Sequence, residues 1–142
     1  MLGKLRTTAV RAATGGAFIG AMAGAAILAA PAASAADIGD GQLACNTGEI
    51  CFFYYSTSIA ENSNPTRHFW YSDYYHEDDT FNNRGLSGVR FHDNSRSYRN
   101  RDTACSVRMY NEGVGYVTMP RDGVYRNFPS GWQDVNNWHV RC

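Results

Sequence analysis

Gly88-Val89-Arg90-Phe91-His92-Asp93-Asn94-Ser95-Arg96-Ser97-Tyr98-Arg99-Asn100-Arg101-Asp102 is the stretch on which the reading of the fold turns. Val89 and Phe91 alternate with Arg90 and His92, the period of a half-buried strand. Asp93, Asn94, Ser95 and Ser97 then crowd together, and short oxygen-bearing side chains of this kind hydrogen-bond the backbone of a tight turn. The same oxygens suit a hard cation such as calcium. The stretch therefore predicts a strand that runs into a corner, with a structural and a cation-binding use in competition.

On its N-terminal side, Ile50, Phe52 and Tyr54 alternate with Cys51, Phe53 and Tyr55, so both faces of one strand are aromatic: either both are covered, or one holds a disulfide and an amphipathic tyrosine rim. The polar run from Ser56 to Thr66 reads as a long loop, and the aromatic run from Arg67 to Tyr75 as a second strand. His76-Glu77-Asp78-Asp79 begins like a His-Glu-x-x-His metal motif, but Thr80 stands where the second histidine belongs, which leaves a solvated acidic turn. Asn82-Asn83-Arg84-Gly85 is a further turn. On the C-terminal side, Ser106 to Tyr110 alternates with Val107 and Met109 on one face. Tyr116 to Met119 is an apolar run stopped by Pro120, Val124 and Tyr125 start a short strand, and Val135 to Val140 closes the chain before Cys142. No helical period lasts beyond two turns. Short aromatic and β-branched runs between Gly, Asn, Ser and Pro turns predict an all-β sandwich or barrel.

The first 35 residues carry Lys4, Arg6 and Arg11, then a long Ala/Gly-rich apolar run, Pro31, and the small residues Ala33, Ser34 and Ala35. This is the pattern of a secretory signal peptide cut after Ala35, and secretion to the extracellular space is expected. Residues 36–44 read as a flexible leader and 45–142 as one domain. Lys4, Arg6 and Arg11 are three of the 13 basic residues, so ten arginines face 13 acidic residues in the exported part, a net charge of −3. Mild acidity argues against nucleic acid or an anionic membrane as partner. All four cysteines, Cys45, Cys51, Cys105 and Cys142, lie in the exported part and read as two disulfides. Of three pairings, Cys45 with Cys51 and Cys105 with Cys142 is preferred, each bridge staying within one half of the domain. Chain entropy assigns roughly 2 kcal/mol to the short loop and roughly 4 to the longer one.

The two halves share an order of events. Ile50 to Ser56 answers Cys105 to Asn111, and Asp93-Asn94 answers Asn136-Asn137, as a pair of Greek-key motifs requires. The Cys45 to Cys51 segment with its aromatic strand, the Asp93-Asn94-Ser95-Arg96-Ser97 corner and the doubled layout resemble the βγ-crystallin-like secreted bacterial peptidase inhibitors, the Streptomyces metalloproteinase inhibitor type. The resemblance covers roughly residues 44 to 142. It implies a Greek-key sandwich of two related halves with two disulfides, and inhibition of an extracellular protease, metalloprotease or subtilisin-like, by a monomer.

Such an inhibitor works through a stiff loop that the protease binds as substrate. Asp102, Thr103, Ala104, Cys105 and Ser106 are the favoured loop because a disulfide would anchor it; the Ser56 to Thr66 loop is the other candidate. The competing function is a calcium-binding or purely structural module. The family's calcium signature resembles two Asn/Asp residues, two variable positions, Ser or Thr, then Ser. Asp93, Asn94, Ser95, Arg96 and Ser97 match its first five positions, which makes Asp93, Asn94, Ser95 and Ser97 the candidate ligands, but Tyr98 replaces the last serine. In the second half, Asn136-Asn137 is followed by Trp138 and His139, with Val140 in place of the liganding hydroxyl. No cofactor is required, and calcium is the one candidate. A third reading, a small secreted hydrolase, could draw on His68, His76, His92 and His139, yet no Gly-x-Ser-x-Gly, zincin or phosphate-loop motif is present, so an enzyme is not expected. Arg96, Arg99 and Arg101 are expected to pair with Asp93 and Asp102.

Overall fold

The computed structural model describes residues 38–81 and 83–142. The expected signal peptide, residues 1–35, lies outside them, as does Asn82 of the 82–85 turn. The chain is all-β. Seven strands are described: β1 (Ile50–Phe53), β2 (Thr66–Phe69), β3 (Ser97–Asn100), β4 (Val107–Asn111), β5 (Gly115–Met119), β6 (Arg126–Asn127) and β7 (Trp138–Arg141). They form two antiparallel sheets, ordered β2-β1-β3-β6 and β5-β4-β7.

The order records an exchange between halves. In each half the first strand is central and the last returns to lie beside it, β3 beside β1 and β7 beside β4. The third strand of the second half, β6, pairs with β3 in the first sheet. In the mirror position Asp73, third in the first half, bridges His139 of β7 in the second sheet. Each half thus lends one element to the other's sheet.

Alternation along β1 explains where the core sits. Ile50 and Phe52 face inward to a cluster with Phe69, Phe81, Phe91, Tyr98, Val107, Met109, Met119 and Phe128. Cys51 and Phe53 face outward, yet they too are buried, under Cys45 and Tyr125. Both faces of β1 are covered, the first of the two arrangements open to its alternating aromatic residues. Phe52 is the centre of the inner cluster, with Phe91 at 5.3 Å, Phe69 at 5.9 Å and His139 at 5.2 Å between ring centroids.

The stretch that opened the reading reverses the expected order. Val89 to His92 is not a strand; only Arg90 forms an isolated bridge, to Thr80, while Phe91 is buried as a plug. The strand is β3, after the corner. Its alternation was hidden because Ser97, Tyr98 and Asn100 are all buried, two of them polar and satisfied by specific bonds. The second strand likewise ends at Phe69 rather than Tyr75. Beyond it Tyr71, Tyr74 and Tyr75 are exposed on a connection. The short strand expected at Val124 and Tyr125 lies one to two residues later, at β6.

The two halves do correspond, with the alignment shifted by two. Asp93 and Asp134 both have positive φ, 57° and 56°. They exchange equivalent bonds: Asp93 N–H donates to the Asn136 carbonyl and Asp134 N–H to that of Ser95. Asp134, not Asn136, is therefore the partner of Asp93. Phe53 and Tyr110 play the same role toward the N–H groups of Arg96 and Asn137, so Ile50 answers Val107 rather than Cys105. Because the shift is even, every side chain keeps its face.

Both disulfides form within halves, Cys45–Cys51 and Cys105–Cys142, with Cα separations of 6.0 and 5.7 Å. Residues 38–44, expected to be a flexible leader, are tied down: Asp40 N–H donates to the Glu49 carboxylate at 2.8 Å and Arg84 donates to the Leu43 carbonyl at 2.9 Å. No helix among the described residues is long and apolar enough to cross a membrane.

Candidate functional site

The segment Asp102 to Ser106 joins β3 of one sheet to β4 of the other, so its ends are set by both. Thr103, Ala104 and Ser106 are exposed and Asp102 is buried. Asp102 Oδ1 accepts the backbone N–H groups of Ala104 at 2.6 Å and Cys105 at 3.2 Å, which curls the loop around its own carboxylate. Arg141 of β7 clasps that carboxylate through Nη2 at 3.0 Å and through Nε. From the other side, Arg121 Nη1 donates to the carbonyls of Thr103 at 2.9 Å and Ala104 at 2.7 Å. Asn100 Nδ2 reaches the Cys105 carbonyl at 3.3 Å, and the Cys105–Cys142 bridge fixes the far end.

Burial works to raise the Asp102 pKa, but the Ala104 N–H, the Arg141 guanidinium and the Cys105 N–H outweigh it, and the carboxyl titrates below the usual carboxylate range. Beside the loop, Cys105, Ser106, Arg108, Tyr116, Thr118, Val140 and Cys142 line a groove of about 450 Å³ on the outer face of the second sheet. Arg108 lies over the Tyr116 ring at 4.8 Å. An extended segment of a partner laid against the loop would have this groove as its continuation.

The other candidate loop is shaped differently. Glu61–Ser63 forms a short 3-10 turn, and Asn64 is buried, bonding Tyr55 N–H and Tyr125 Oη. Ser58, Ile59 and Ala60 are exposed at its tip, but no disulfide reaches them.

The four candidate calcium ligands fall at the junction between halves, where the side-chain oxygens of Asp93, Ser95 and Ser97 and the amide nitrogen of Asn94 are engaged. Ser95 and Ser97 are fully buried. The Ser95 hydroxyl donates to the Phe53 and Ser97 carbonyls at 3.2 and 3.3 Å, and that of Ser97 to the Tyr55 carbonyl at 2.7 Å. Asp93 Oδ1 accepts from Asn137 Nδ2 at 2.8 Å, and Asn94 Nδ2 donates to the His92 carbonyl at 3.0 Å. Asn136 Oδ1 completes the corner by accepting the N–H groups of both Asn94 and Ser95. These are the bonds of a turn that locks one half to the other.

His76 and His139 meet inside the core, both fully buried, with His76 Nε2 2.8 Å from His139 Nδ1. His139 Nε2 faces the Tyr71 carbonyl at 2.9 Å, and at the other end His76 Nδ1 lies 3.1 Å from the Asn136 carbonyl and 3.4 Å from Asn136 Nδ2, so the pair spans two backbone carbonyls. Burial above all, and the proximity of His139, hold the His76 pKa well below its ordinary value. Sealed from solvent, the pair cannot touch a substrate and serves the core. The turn it belongs to is not the solvated acidic turn expected: Asp79 is buried and pairs with the inward-facing Arg67. Burial, and the hydrogen-bonded carboxyl of Asp73, push the Asp79 pKa up to about 8 against the pull of Arg67.

The arginines also choose partners other than those expected. Arg96 pairs with Asp134 and Arg99 with Glu61, while Arg101 donates to the Cys45 carbonyl and Thr47. The braces of the 102–106 loop, Asn100, Arg121 and Arg141, were not foreseen. The one available signal was the position of Arg141 next to Cys142, the bridging partner of Cys105. No protein-family model, curated protein or solved structure matches the chain.

Proposed function

We propose that this chain is a secreted βγ-crystallin-type Greek-key protein that inhibits an extracellular protease by presenting Asp102 to Ser106 as a stiff, substrate-like loop. The fold reading is supported by the strand order. In a Greek key the fourth strand returns beside the first, which β3 and β7 do, and the exchange of third elements between sheets doubles the motif. The exported state is supported by the two disulfides, which persist in oxidising compartments.

The observation that carries the inhibitory reading is the bracing of the loop. A substrate loop that is already ordered loses little conformational entropy on binding. Here Asp102, Arg121, Asn100 and the disulfide grip the loop from both ends and from below. If a protease cuts the Cys105–Ser106 bond, the Cys105–Cys142 bridge still joins the two fragments; after a cut between residues 103 and 105 the Arg121 and Asp102 contacts and the sheets hold them together without a covalent link.

The test is prolonged incubation with catalytic amounts of a thermolysin-like and a subtilisin-like protease, followed by mapping of the first cut. A single slow cut within residues 102–106 is expected, the product staying joined until reduction if the cut is at Cys105–Ser106 and until denaturation if it lies before Cys105. Rapid cleavage there, or a first cut between Ser56 and Pro65, would overturn the assignment of the loop.

A further inference from the structure

The outer face of the first sheet carries a second polar cluster that the inhibitory reading does not use. Cross-strand pairing sets Cys51 opposite His68, and Glu49 shares their face. Glu49 is fully buried, and its carboxylate accepts the N–H groups of Asp40 at 2.8 Å and Asn46 at 2.6 Å. His68 is 2% exposed, yet neither ring nitrogen has a hydrogen-bond partner among the described residues. A buried imidazole with both nitrogens unsatisfied is costly, and this one points Nδ1 at Glu49 Oε2 from 3.4 Å.

That separation is the spacing of two ligands on one metal ion. Zinc bonds to histidine nitrogen and carboxylate oxygen of about 2.1 Å set neighbouring ligands about 3.4 Å apart in a tetrahedron. Asp40 supplies the third ligand, since its carboxylate lies within 4.8 Å of the other two atoms. Asp40 is exposed, with Oδ2 accepting from Asn46 Nδ2 at 2.6 Å as an outer-shell donor and Oδ1 from the Gln42 N–H at 2.9 Å. Cys45 and Cys51 lie close to Glu49 as well, but their sulfurs are joined to each other and are not ligands.

We propose that Asp40, Glu49 and His68 bind one zinc ion, with a water in the fourth position, and that the ion staples residues 38–44 to the first sheet. Two carboxylates and a neutral imidazole neutralise a divalent charge, and the imidazole favours zinc over calcium, which takes six to eight oxygens. Gly39 is part of the design: a Cβ there would stand 2.3 Å from Glu49 Oε1 and 2.8 Å from His68 Cβ, so only glycine lets the leader pass over the site.

The experiment uses the mature chain, untagged and stripped with chelator, titrated with Zn²⁺ alone. One equivalent is expected to bind, to raise Tm by about 10 °C at a hundredfold excess over Kd, and to be replaceable by Co²⁺ with tetrahedral visible absorption. D40N, at an exposed position that keeps the fold, is expected to weaken binding at least ~10-fold, and H68Q ~100-fold or more. H92Q, at the one histidine that is not buried, leaves binding unchanged. No binding by the wild-type chain, equal stabilisation by Ca²⁺, undiminished affinity in D40N, or loss of binding in H92Q would each overturn the proposal.

Discussion

Asp102→Ala removes the acceptor around which the 102–106 loop is curled. Its Oδ1 takes two backbone N–H groups and one guanidinium N–H. Hydrogen bonds to a charged group contribute about 1.5–3 kcal/mol each when one partner is deleted, but the Arg141 side chain is 25% exposed and water takes over part of its loss. Counting only the two backbone bonds at the low end of that range gives about 3 kcal/mol, or a fall in Tm of roughly 12–24 °C for a domain of this size. Asp102→Asn keeps an oxygen for the N–H groups and loses the charge, so it should fall about half as far. The carboxyl titrates below its ordinary value, so the contribution of its charge is present above the unfolded pKa near 3.8 and disappears as pH falls through the folded pKa. Wild type and D102A should therefore draw together as pH falls, to about half of their pH 7 difference once the carboxyl is protonated and only the neutral bonds remain. Thermal melts followed by circular dichroism at pH 7 and pH 2 measure both points. A Tm change under about 4 °C at pH 7 would refute the bracing role of Asp102, and an equal difference at both pH values would refute its ionic part.

Three further outcomes are expected. His76 stays neutral in the fold and takes a proton when unfolded, so its contribution falls as pH drops below about 6.5, by up to 1.4 kcal/mol per pH unit. Asp79, raised to about 8, acts oppositely between 3.8 and 8: urea midpoints should be nearly flat from pH 4.5 to 6.5 and decline from 6.5 to 8, and D79N should remove the decline. Calcium at millimolar concentration should leave Tm unchanged, because the Ser95 and Ser97 hydroxyls are committed to backbone carbonyls; a rise of several degrees would show that the corner opens to the ion. Gly48→Ala should lower stability by about 2 kcal/mol or more on denaturant unfolding, since Gly48 has φ +98° and its added Cβ would lie 2.6 Å from the Trp70 ring; a neutral change would mean that Trp70 turns aside freely.

What the chain disclosed of itself follows from the range of each interaction. Alternation is local, so the face assignments of Ile50 and Phe52 and of Val107 and Met109 could be read directly, and the cysteine pairs followed from keeping each bridge within one half. Tertiary rescue of buried polar groups is not local. Ser97 and Asn100 look like turn residues until Tyr55, Met119 and Cys105 supply their partners, and this misplaced the strand relative to the corner. Arg121 and Arg141 come to the loop and the Asp102 carboxylate from sites 18 and 39 residues away, with only the place of Arg141 beside Cys142 to announce either. The repeat was visible through its order but not its register, because an alignment of Asx residues rewards identity at Asn136 while the backbone geometry pairs Asp93 with Asp134.

Titration of a fixed active-site concentration of thermolysin-like protease, and separately of subtilisin-like protease, with the mature chain tests the inhibitory reading most directly. For at least one of them, residual activity should fall linearly to a break at one equivalent, and D102A should move the curve to weaker, reversible inhibition. Full activity of both proteases in the presence of a molar excess of the folded, disulfide-intact chain would contradict it.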